Sequence, residues 1–99
     1  MLTSKQRAAL RSAANTMDPV FQIGKGEIDE QVVAAVADCL AARELIKIQV
    51  LENSPYTARE AAALLEEATG AEGVQVIGRK LVLFLQKKKE SAYTALLAK

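Results

Sequence analysis

The sequence predicts a two-layer α/β domain in which helices alternate with strands around a four-stranded mixed sheet, in the order α-β-α-β-α-β-β. Three observations predict it. Apolar stripes with helical spacing alternate with short β-branched runs along the chain. The last two such runs, "GVQVIG" and "KLVLFLQ", are so close that a hairpin around Gly78-Arg79 joins them. The 99 residues, 51% hydrophobic and 25% charged with two prolines, suit one small globular core.

Each element has its own local reason. Thr3 or Ser4 caps a first helix with apolar positions at Ala8, Leu10, Ala13, Ala14 and Met17, and Asp18-Pro19 ends it. "VFQI" is a short strand. Ile28, Val32, Val33, Val36, Cys39 and Leu40 mark a second helix running to about Arg43, with Glu27 expected in its first turn. In "LIKIQVLE", Ile46, Ile48 and Val50 share one strand face and Lys47 and Gln49 the other, so one face is buried and the other partly wet. Thr57 with Glu60 three residues on forms a capping box, Gly70 stops the third helix, and Ala61, Leu64, Leu65 and Ala68 form its expected interior stripe. Beyond Lys89, "ESAYTALLAK" reads as a short helix or a frayed tail.

Composition narrows the chemistry. There is no histidine, the commonest general base and metal ligand, and the acids show no metal-loop spacing, so neither an enzyme nor a metal or cofactor protein is expected. Cys39, the single cysteine, excludes an internal disulfide and reads as a buried small apolar residue. Charge interrupts every long apolar stretch, as Asp38 does in "VVAAVADCLAA", and "MLTSKQRAALR" lacks a signal-peptide core. A cytoplasmic protein with no membrane partner is the expectation.

Net charge is only +1, but its distribution is uneven. The first 25 residues carry Lys5, Arg7, Arg11 and Lys25 against Asp18, residues 26–78 carry three basic residues against ten acidic, and residues 79–89 carry five basic and none acidic. Helix-linked strands run in the same direction with right-handed crossovers, so the C-terminal ends of the first three strands share an edge. Gly24-Lys25-Gly26 leaves the first strand there and Gly78-Arg79-Lys80 turns back there. A first helix antiparallel to the first strand would bring Lys5 to the same edge.

A glycine-bearing turn between a strand and a helix N-terminus suits an anion, because glycine admits close backbone approach and the helix dipole favours negative charge. The alternative is a plain turn. "GKGEID" does not complete a dinucleotide fingerprint, since Asp29 stands where the third glycine belongs, and "GKGE" is not a phosphate loop of NTPase type, so no nucleotide cofactor is expected. Tyr56 and Phe84 have rings able to stack on bases, although Phe84 reads as core and Tyr56 as a lone aromatic in a turn. The lysines of "QKKK" are expected at the opposite edge, as a solvated tail.

Four segments in order, "LTSKQRAALRS" (2–12), "VFQIGKGEI" (20–28), "CLAARELIKIQVLEN" (39–53) and "VQVIGRKLVLF" (74–84), resemble the CRM domain (chloroplast RNA splicing and ribosome maturation), and in particular its stand-alone bacterial form, the YhbY-like proteins. The resemblance covers nearly the whole chain to about Gln86 and implies a fold similar to the C-terminal domain of bacterial translation initiation factor three; one domain is expected over residues 1–89, with a tail at 90–99. It also implies a GxxG-type RNA-binding loop after the first strand and association with precursors of the large ribosomal subunit. The loop maps to Gly24, Lys25 and Gly26, and its closing glycine is replaced by Glu27. Together the two readings expect an RNA-binding ribosome-assembly factor with Lys5, Lys25, Arg79 and Lys80 as phosphate partners and Gly24 and Gly26 as positions of close backbone approach. A regulatory module for an anionic metabolite and a protein–protein adaptor using Asp29, Glu30, Glu66 and Glu67 are the rival readings.

Overall fold

The structure is a computed structural model that describes residues 2–86; the "KKK" run and the expected C-terminal tail lie outside the described residues. Its elements are α1 (Ser4–Ala14), β1 (Phe21–Ile23), α2 (Glu30–Arg43), β2 (Leu45–Val50), α3 (Ala58–Thr69), β3 (Glu72–Ile77) and β4 (Lys80–Phe84). None of the described helices is long and apolar enough to cross a membrane.

Local chemistry sets the helix ends. Thr3 caps α1 and Thr57 caps α3, each in a reciprocal capping box, with Gln6 and Glu60 respectively returning the bond. Gly70 ends α3 in the left-handed conformation at φ 78°. At the end of α2 the same job falls to Glu44, buried at φ 65°, a conformation that side chains rarely adopt.

The sheet order is β1-β2-β4-β3. β1 pairs parallel with β2, and β4 pairs antiparallel with both β2 and β3. The first three strands therefore run in the same direction, as the alternating pattern implies, but β2 and β3 are not neighbours. The hairpin strand β4 lies between them, where it forms antiparallel ladders on both sides.

Alternation along the strands splits the core in two. Ile46, Ile48, Val50, Leu81 and Leu83 face α2 and α3, where they meet Val36, Leu40, Ala61 and Leu65. Cys39 is half-buried against this cluster. Leu45, Val74, Val82 and Phe84 face the other way and meet Leu10 and Ala14 of α1. The main body is thus two layers, with α1 covering one end of the second sheet face. In α3 the buried stripe is Ala58, Ala61, Ala62 and Leu65, one position round from that expected; Ala68 is exposed and Leu64 is 42% exposed.

Glu72, at the start of β3, anchors the beginning of α1. The Leu2 N–H donates to its Oε2 at 2.8 Å, and Arg7 Nη2 lies 4.0 Å from the same oxygen. Burial alone would raise the Glu72 carboxyl, but the Leu2 N–H and nearby positive charge, Arg7 included, outweigh it and hold the group below its ordinary value of 4.5. A lowered folded-state value means stability that is present above the unfolded value and lost as pH falls through the folded one. Acidification below about 4.5 should therefore loosen the α1 attachment, and Glu72→Gln should remove this part of the acid sensitivity. Urea midpoints of parent and variant, compared at neutral and acidic pH, should converge on acidification.

Candidate nucleic-acid interface

Three loops meet at the edge where β1 and β2 end and β4 begins. The Leu51 N–H donates to the Ile23 carbonyl at 2.8 Å, and the Val50 N–H donates to the Arg79 carbonyl at 2.7 Å. These two bonds tie the glycine loop after β1 and the Gly78-Arg79 turn to the end of β2. Lys25, Gly26, Arg79 and Lys80 are all exposed there.

The glycines of the loop differ in role. Gly26 has φ 107° and open space where a Cβ would be, so its conformation requires glycine while its surroundings admit a ligand. Gly24 packs closely, its Cβ position 3.4 Å from Leu51 Cδ1 and 3.7 Å from Asn53 Oδ1. The helix end behind the loop is already occupied. Asp29 is the N-cap of α2, its Oδ1 accepting from the Val32 N–H at 3.0 Å, and Glu30 opens the first turn. Glu27 therefore lies in the loop, two residues before the cap, rather than in the first helical turn. An anion on this loop would meet glycine backbone and Lys25, while the helix terminus is satisfied by its own carboxylate.

Lys80 stands on an open part of the sheet. The register aligns Gln22, Gln49, Lys80 and Ile77 in one row across all four strands, on the face that α1 covers only at its far end. Ile77 is 62% exposed in this row. Arg79 is engaged, its Nη2 lying 3.4 Å from Glu52 Oε1 in an exposed ion pair. Lys5 is not part of this edge. Its neighbours Leu2 and Arg7 approach Glu72, where β3 begins, and the strand rise puts that about 17 Å from the Gly78 turn. The expectation for Lys5 assumed an α1 antiparallel to β1, whereas α1 starts over β3 and packs on β2 and β3.

Two residues at the edge carry no signal of their own in the sequence. Glu52 is an acid in a turn, and Arg59 sits in the first turn of α3, exposed, two residues after the cap. Only the convergence of loops gives either a setting. The edge is mixed in charge rather than uniformly positive.

Residues 2–84 match the CRS1 / YhbY (CRM) domain. The chain belongs to this family. A relative, the "Probable RNA-binding protein YqeI" of Bacillus subtilis (strain 168), is 39% identical over 89 residues, covering 90% of this chain and 93% of that one. An "RNA-binding protein" of Haemophilus influenzae is 32% identical over 83 residues, covering 84% of each chain. The solution structure of the hypothetical protein SAV1595 from Staphylococcus aureus matches with a TM-score of 0.77 at 47% identity, covering 92% of this chain and 95% of that one. The CRM fold is thus the frame that presents the glycine loop and the hairpin turn side by side.

The two glycines of this CRM domain should respond differently to a methyl group. Gly26→Ala should lower stability by about 1–2 kcal/mol, because a side chain is strained at positive φ. Gly24→Ala should cost less than about 1 kcal/mol, since its nearest neighbour is the end of a flexible leucine. Urea denaturation of both variants tests the order.

Proposed function

We propose that this protein binds RNA and acts in ribosome assembly on precursor RNA of the large subunit. The phosphate backbone sits on the Gly24-Lys25-Gly26 loop, with Lys25, Arg79 and Lys80 as phosphate partners. The observation that carries the reading is Gly26, held at positive φ in an unobstructed loop next to the cationic turn. Glycine there lets a phosphodiester approach the backbone closely, as GXXG loops do in other RNA-binding folds. The names of the relatives support RNA as the partner class. The likeness to stand-alone YhbY-like proteins supports the ribosomal setting. The binding mode makes and breaks no bond, so no catalytic residue is assigned. Lys5, at the other end of the sheet, is left out of the phosphate track.

Three phosphate partners fix the expected salt response. For a single strand the slope of log affinity against log salt should be about −0.7 per phosphate, hence roughly −2 in total. Lys25→Ala combined with Lys80→Ala should flatten that slope and weaken binding while leaving the melting temperature nearly unchanged, and Lys5→Ala should change neither. Fluorescence anisotropy with a ribosomal RNA fragment measures affinity and slope, and thermal denaturation measures the melting temperature. A flat response in the parent would remove the electrostatic mechanism. Crosslinking in cells with sequencing of the attached RNA tests the large-subunit assignment separately.

Glu27 tests the seat of the phosphate. Its carboxylate in the loop should repel a phosphate by ~1–3 kcal/mol at several Å and an effective dielectric near 20, before salt screening. Glu27→Gln should therefore tighten RNA binding at fixed salt, and Glu27→Gly should do so at least as strongly. Since Glu27 precedes the α2 cap, neither change should shift the melting temperature by more than a degree or two. Unchanged affinity in Glu27→Gln would place the phosphate elsewhere.

A further inference from the structure

Beside the glycine loop lies a cleft of about 260 Å³, lined by Leu51, Glu52, Tyr56, Gly78 and Arg79 together with neighbouring loop atoms. We infer that this cleft receives one unstacked base of the bound RNA, and that the adjacent Glu52 and Arg79 select guanine. The inference rests on the RNA reading above and adds to it a base-reading site beside the phosphate seat, with Arg79 at the boundary between the two.

Size and position come first. The cleft is smaller than the ~300–1,000 Å³ typical of sites for drug-sized ligands, which suits a single ring system. It adjoins the phosphate loop through Leu51, whose N–H bonds the end of β1 and whose side chain lies against Gly24. A nucleotide whose phosphate rests on the loop therefore has its base within reach of the cleft. Tyr56 is half-buried and packed against the core, so its ring is held in place before any ligand arrives. A fixed aromatic wall stacks a base at little conformational cost.

The polar lining narrows the choice of base. Ser54 Oγ accepts from the Tyr56 N–H at 3.1 Å, and Thr57 Oγ1 accepts from the Glu60 N–H at 3.1 Å, so each hydroxyl is fixed in place by one bond to the local backbone. Glu52 and Arg79, 3.4 Å apart, are the charged groups left to meet a ligand. A carboxylate beside an RNA backbone opposes phosphate binding, but it is a strong acceptor for base donors. Guanine alone carries two adjacent donors, N1–H and N2–H₂, on its Watson–Crick edge, with the O6 acceptor next to them. The carboxylate can take the two donors while the guanidinium donates to O6. Cytosine and adenine each set a ring-nitrogen acceptor beside their single amine, and uracil sets its single N3–H between two carbonyl oxygens. In all three a carboxylate meets a lone pair.

The test uses the full chain and short oligouridylates carrying one central guanine, inosine or adenine, with affinity read by anisotropy at fixed salt. The parent should prefer the guanine oligomer over plain oligouridylate by on the order of tenfold, the discrimination of a bidentate base contact. Inosine, which lacks the N2 amine, should fall between, and adenine should give no preference. Glu52→Gln should abolish the guanine preference without weakening binding to plain oligouridylate. Glu52 is exposed, so this variant should melt like the parent. If Glu52→Gln strengthens binding to all oligomers equally and leaves their ratio unchanged, Glu52 merely pairs with Arg79 and the base site is wrong. If the parent binds all oligomers alike, the base site is wrong while the RNA reading stands. If no oligomer and no ribosomal RNA fragment binds, the RNA reading fails and this inference fails with it.

Discussion

The position of β4 between β2 and β3 is the constraint on which the rest of the structure depends. This strand is five residues long, and four of them, Leu81, Val82, Leu83 and Phe84, are buried. Leu81 and Leu83 complete the cluster under α2 and α3, while Val82 and Phe84 complete the one under α1. At ~1.5–3 kcal/mol for each buried side chain, those four contribute roughly 6–12 kcal/mol. That is comparable with the whole net stability of a small domain, ~5–15 kcal/mol. Neither layer closes without it.

The same placement builds the candidate edge. Because β4 runs antiparallel to β2, its first residue lies opposite Gln49, and the turn that precedes it falls beside the end of β2. The Arg79 carbonyl then accepts the Val50 N–H, and the cationic turn is fixed next to the loop that follows β1. Had β3 paired directly with β2, the hairpin would span the same two strand positions with its Ile77 side next to β2, and Lys80 would stand one strand further from the glycine loop, about 4.8 Å more.

What could be read from the sequence was what local chemistry decides. The capping boxes at Thr3 and Thr57, the stop at Gly70 and the tight turn at Gly78-Arg79 each depend on residues within a few positions of one another. The insertion of β4 is different, since a hairpin strand folded inward and one folded outward share the same apolar run. α3 shows a second limit: alanines flank its leucines on both sides, so two stripes fit the helical period equally well, and tertiary packing chose the one with Ala58 and Ala62 against the sheet. In the candidate site, Lys25, Arg79 and Lys80 were legible because strand direction alone assigns them an edge. Lys5 was not, because its place depends on how α1 crosses the sheet, which Glu72 and the Leu45–Phe84 end of the core determine.

The charge of the edge bears on how a polyanion would be held there. With a net charge of +1 the chain has no strong overall field to draw RNA in, so attraction must come from groups within a Debye length of the phosphate. Lys25, Arg79 and Lys80 supply it, and Arg59 stands nearby, but Glu27 and Glu52 are interleaved with them and Asp29 and Glu30 lie just behind. A strand laid across such an edge at random would gain little, because Arg79 is paired with Glu52 and Glu27 follows Lys25 by two residues. On the proposed binding mode a strand in one register would gain more, since its phosphates would meet lysine and glycine backbone while base donors would meet the Glu52 carboxylate. Mixed charge therefore lowers affinity for any polyanion and raises the difference between the right placement and the wrong ones.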